Sequence, residues 1–126
     1  MMRFTCAASS VMTDTRPTSE PVPAVVGVGG LSHSLFREPL ALEADRLHSA
    51  SDDDWNRRLL ALMEAGDAQG LRDMLPDFAR QARADMGMKH LHWGLGALGD
   101  ALPAATVHAY EPLYGSGAAV VEFGRA

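Results

Sequence analysis

Apolar residues recur along this chain in three rhythms. Residues 24–28, Ala-Val-Val-Gly-Val, form an unbroken apolar run of the kind that reads as a buried strand. Prolines at 21 and 23 confine the start of that strand to an edge or a non-bonded position, which places its ordered part at Ala24–Val28. Gly29 and Gly30 then let the backbone turn sharply or come close to a ligand, and Leu31-Ser32-His33 follows. One imidazole is thereby delivered just past a strand end. From Ser34 to Ala50 the pattern is irregular, with Pro39 and mixed charge. It predicts a connecting loop with at most a short helical turn, and a loop directly after a presented histidine can line a site.

The rhythm then changes to the helical one. Ser51 ahead of Asp52, Asp53 and Asp54 predicts a helix start, with the serine as cap and the acids in the first turn, where the macrodipole favours them. Trp55, Leu59, Leu62 and Met63 form its apolar face and Gly66 its end. Asp67 is expected to cap a second, short helix carrying Leu71, Met74 and Leu75, which stops at Pro76. A third helix is expected from about Asp77 through Trp93 to Leu98, with Phe78, Ala82, Met86, Trp93 and Ala97 on one stripe.

After Pro103 the period shortens to two. Thr106–Tyr110 alternates, Glu111–Gly117 reads as a loop, and Ala118–Phe123 as a last, largely buried strand. The order strand, loop, helices, strand, strand predicts an α/β fold, a partial mixed sheet with packed helices. Residues 1–21, rich in Ser, Thr and Ala, are expected to be a disordered tail, and residues 22–126 one domain. The tail holds no apolar stretch long enough for a signal peptide or a membrane span.

Composition adds exclusions. A net charge of −5, with only 11 Lys and Arg, argues against a phosphate-binding surface and hence against nucleic acid as a partner. The single cysteine, Cys6, rules out an internal disulfide framework and a multi-cysteine zinc site, which points to a reducing compartment and a cytoplasmic protein.

Among the titratable groups, His33 is the candidate acid or base; the alternative is an imidazole that only hydrogen-bonds its own loop. Three adjacent aspartates on a helix point three ways, so a cap explains them better than a cation does. His90 and His92, at i and i+2 on a helix, point about 160° apart and cannot chelate one ion. His108 reads as a satisfied strand histidine, and Tyr110 and Tyr114 flank a loop that could wall an aromatic pocket.

Gly29-Gly30-Leu31-Ser32-His33 after a strand, the acid-and-Trp helix start at Asp53–Trp55, and Trp93-Gly-Leu-Gly-Ala-Leu-Gly resemble the C-terminal part of class III extradiol ring-cleaving dioxygenases. The segment Val107-His-Ala-Tyr-Glu-Pro-Leu-Tyr-Gly-Ser-Gly-Ala-Ala-Val-Val-Glu resembles the closing segment of that family's catalytic subunit. The resemblance runs from Val25 to Phe123. It implies a non-haem Fe(II) enzyme that opens catechol-type aromatic diols with O2, its iron held by two histidines and a glutamate with positions left open for substrate and dioxygen. It assigns His33 the role of acid and base beside the metal, where a catechol must give up protons and ring opening must return one.

Two departures qualify what is implied. The family's two histidine ligands precede the Val25 strand, where this chain has only its tail. At the glutamate position, four residues before Trp93, stands Lys89, whose ammonium has no lone pair to offer. Asp85 has a hard oxygen on the same face but sits a turn too far. The resemblance therefore implies a truncated or partial dioxygenase with no iron ligands of its own, or else a non-catalytic partner subunit of such an enzyme. A small-molecule-binding α/β domain is the alternative outside the family. A homo- or hetero-oligomer is expected, because a sheet lacking its first strands leaves an unpaired edge.

Overall fold

The computed structural model describes residues 4–6, 24–99 and 101–124. Two short strands, β1 (Phe4–Cys6) and β2 (Val25–Gly27), precede three helices, α1 (Ala50–Glu64), α2 (Ala68–Gln81) and α3 (Lys89–Leu98). A hairpin, β3 (Ala105–Leu113) and β4 (Ser116–Phe123), closes the chain. The strands form one mixed sheet in the order β2-β1-β4-β3, with β1 parallel to β2 and antiparallel to β4. The α/β fold with a mixed sheet and packed helices is the one the pattern predicts.

Inward residues of β4 (Ala119, Val121, Phe123) share a single core with Leu59, Leu60 and Met63 of α1, with Leu71, Met74, Leu75 and Phe78 of α2, and with Leu91 and Leu95 of α3. Helix α1 lies against β3 and β4, while α3 lies against β1 and β2. Among the described residues no helix is long and apolar enough to cross a membrane.

Several elements differ from their expected form. Most of the tail expected over residues 1–21 lies outside the described residues, but Phe4–Cys6 is a strand between β2 and β4. Three β-prone residues carry too little pattern to announce themselves, and their strand is fixed by pairing on both sides. The Val25 strand is a sheet edge, and Val26 and Val28 are exposed. Ser49, not Ser51, caps α1, its Oγ accepting from the Asp52 N–H at 3.0 Å. The buried face of α1 carries Asp52 and Asn56 along with Leu59, Leu60 and Met63, and Trp55 and Leu62 lie at the margin of the core.

Pro76 does not end α2. The apolar stripe Leu71, Leu75, Phe78 runs straight through it, and Pro76 itself lies on the exposed side of the helix. The helix stops instead at Gln81, and the single helix expected over residues 77–98 is two. Between them Arg83, Met86, Gly87 and Met88 all have positive φ, at 48°, 48°, 60° and 59°. This break puts Met86 and Trp93 on the surface while Phe78 and Ala82 stay in the core.

The hairpin is tighter than expected, because Tyr114 and Gly115, at φ 54° and 94°, make a two-residue turn whose twist suits the flanking strands. Residue 108 is the extra residue of a β-bulge between Val107 and Ala109, which shifts the inward phase so that Tyr110 faces the helices.

Candidate functional site

Residues 29–33 do not float. The Gly30 N–H donates to Asp85 Oδ2 at 2.7 Å, and the Asp85 N–H returns a bond to the Leu31 carbonyl at 2.9 Å. The Leu31 N–H reaches the Gly117 carbonyl at 2.9 Å, and the Ser32 carbonyl accepts from both the Gly117 N–H and Ser116 Oγ. Ser32 donates its N–H to Asn56 Oδ1 at 3.0 Å, while Asn56 Nδ2 donates to Ser32 Oγ at 2.8 Å and to Tyr110 Oη at 3.1 Å. The His33 N–H closes the set on the Ala82 carbonyl at the end of α2. Helix α1, the end of α2, the strained turn and β4 therefore all hold one five-residue segment.

What the segment presents is the His33 ring. Its side chain is 47% exposed, with Nδ1 3.9 Å from Asp85 Oδ1. The imidazole is half exposed on a segment whose backbone is held by the bonds just described.

The reason for two glycines is now visible at the first of them. A Cβ at Gly29 would lie 2.4 Å from Nδ1 of His90 and within 2.8 Å of two ring carbons. His90 is buried, and among the described residues neither ring nitrogen has a hydrogen-bond partner. Burial pushes its pKa below 6.5, against an opposing pull from the Asp85 carboxylate and the Gly30 backbone. A folded pKa below the unfolded value means that acid favours the unfolded chain. His90 therefore contributes stability in full above pH 6.5, and that contribution is lost as the pH falls from there toward the folded value. His90→Leu is expected to flatten the pH dependence of the urea midpoint below pH 6.5; an unchanged slope would show that another group sets it.

The other histidines do not join this cluster. His92 is exposed on α3, and His108 Nε2 lies 2.9 Å from Glu122 Oε2 on the outer side of the hairpin. Tyr110 and Tyr114 are tied into the framework. The Tyr110 hydroxyl donates to Asp53 Oδ1 at 2.8 Å, and its pKa is pushed up by burial and by that carboxylate. Tyr114 Oη donates to the Glu38 carbonyl.

A ferrous ion of the kind the resemblance implies needs three donors on one face. Among the described residues no group of three His, Cys, Asp or Glu side chains is placed to hold a metal. Lys89 opens α3 on the surface, and beside His33 and Asp85 the imidazole of His90 is closed in against Gly29. These residues do not fit iron. Sequence reasoning missed Asp85, treating it as a misplaced ligand, and missed Asn56. A buried polar residue inside an amphipathic helix, the one signal that could have found Asn56, is visible only once the helix phase is known.

Over 100 residues the chain is 54% identical to the 2-aminophenol 1,6-dioxygenase alpha subunit of Pseudomonas sp; the match covers 79% of this chain and 37% of that protein. No protein-family model matches the chain. The chain is thus related to a subunit of a ring-cleaving dioxygenase and spans little more than a third of its length.

Proposed function

We propose that the chain is part of a ring-cleaving dioxygenase assembly acting on an aromatic ring with a hydroxyl beside a second hydroxyl or an amino group, and that His33 is the chemical group it contributes. The observation that carries this reading is the outward imidazole on a segment pinned to four separate elements, with a carboxylate behind it. Such a group can take a proton from the ring substituent as substrate binds and hand one back as the ring opens. Iron, where the assembly holds it, would supply dioxygen activation from ligands outside the described residues or on another subunit.

A specific observation favours a second reading. Lys89 stands where the extradiol resemblance requires a glutamate ligand, and the matched relative carries the name of an alpha subunit. Both suit a chain that pairs with an iron-bearing subunit and performs no chemistry itself, and the exposed edge at β2, with Val26 and Val28, suits a chain built into an oligomer.

The two readings share one expectation. The 126-residue chain expressed alone binds no stoichiometric iron and opens no ring, and activity requires a second polypeptide. Elemental analysis and an oxygen-uptake assay with 2-aminophenol and catechol check this. One iron per chain in the isolated product would overturn it.

A further inference from the structure

Asp85 lies in the turn between α2 and α3, flanked by Arg83 and Met86, both in the left-handed region that residues other than glycine rarely occupy. The residue so placed makes reciprocal contacts with the His33 segment. Its Oδ2 takes the Gly30 N–H at 2.7 Å and its N–H takes the Leu31 carbonyl at 2.9 Å. That leaves Oδ1, 3.9 Å from His33 Nδ1. The carboxylate is only 22% exposed, so its position is set by the turn rather than by solvent.

We infer that Asp85 is the positioning residue of His33, one carboxylate oxygen fixing the Gly30 turn while the other faces Nδ1 and selects the tautomer that carries its proton there. The opposite nitrogen, Nε2, is then the lone pair offered outward. An ionised carboxylate only accepts, so it can face Nδ1 favourably only when Nδ1 bears hydrogen. The 3.9 Å separation is longer than a hydrogen bond, and catalytic contacts commonly tighten when a substrate arrives. The same logic governs the aspartate behind the histidine of a serine-protease triad, where exchanging the acid for its amide keeps the geometry and inverts the tautomer. This inference rests on the reading of His33 as an acid and base, but its test needs neither iron nor turnover.

The test uses the full chain labelled with 15N-histidine, about two pH units above the ordinary imidazole pKa of ~6.5. His33→Gln identifies the His33 signals. In the parent chain the nitrogen shifts are expected to report mainly Nδ1–H, against the Nε2–H preference of a free imidazole. In Asp85→Asn the new amide keeps the Gly30 N–H by turning its carbonyl toward it, which leaves its NH2 facing Nδ1. The majority tautomer is then expected to switch to Nε2–H, with slow exchange of the Gly30 amide retained. A parent chain that is mainly Nε2–H overturns the proposal, as does one tautomer ratio in both proteins. If Asp85→Asn does not fold, the parent spectrum alone decides. An Asp85 that merely braces the turn would protect Gly30 without setting the tautomer. Failure of the ring-opening reading appears elsewhere, as turnover indifferent to His33.

Discussion

Asn56→Leu is expected to destabilise the protein by about 3 kcal/mol. The replacement has similar volume, so the loss is not a cavity. It strips the acceptor from the buried Ser32 N–H and the donor from Ser32 Oγ and Tyr110 Oη, and water cannot enter to replace them, because Asn56 is fully buried. Leaving a buried polar group unpaired costs more than the net value of the bond it made. A Cβ at Gly117 would lie 2.3 Å from Asn56 Nδ2, so it is a glycine that lets β4 come this close to the amide. Urea denaturation measures the change. Arg57→Ala, on the same helix but in an exposed ion pair with Asp53, is the control and should leave the midpoint nearly unmoved. Equal midpoints for Asn56→Leu and the parent chain would show that the segment is held by its backbone contacts alone.

His33→Gln is expected to lower turnover of a ring-cleaving assembly containing this chain by about 10²–10⁴-fold, the range for removing a positioned acid–base group. Its urea midpoint should stay at the parent value, since the ring is half exposed and the segment is anchored through its backbone. A mutant that loses activity and stability together would mean that the imidazole braces the fold. Wild-type turnover would leave the chain as a partner that does no chemistry, the reading that Lys89 favours.

How far the sequence could be read depended on whether a feature was local. The strand ahead of the double glycine, the capped acidic helix start and the largely buried run of β4 are written in consecutive residues, and each lies where expected to within a few positions. His33 was legible for the same reason, its two glycines and preceding apolar run standing beside it. What escaped reading was settled by distant contacts. Pro76 is tolerated because apolar residues on both sides of it pack against other helices, and the break after Gln81 follows from four left-handed residues, only one of them glycine. Strand β1 owes its existence to neighbours on either side. Asp85 and Asn56 acquire their roles from Gly30 and Ser32, 55 and 24 residues away.

Those long spans carry a consequence for how the molecule comes to be competent. Ser116 reaches back to Ser32 across 84 residues, so the loop with the imidazole closes only after the C-terminal hairpin has docked. Helices of this chain can wind while His33 still points anywhere. A chain that had wound its helices without docking that hairpin would look folded by its helical signal, yet it would lack three of the bonds that hold the segment carrying the ring.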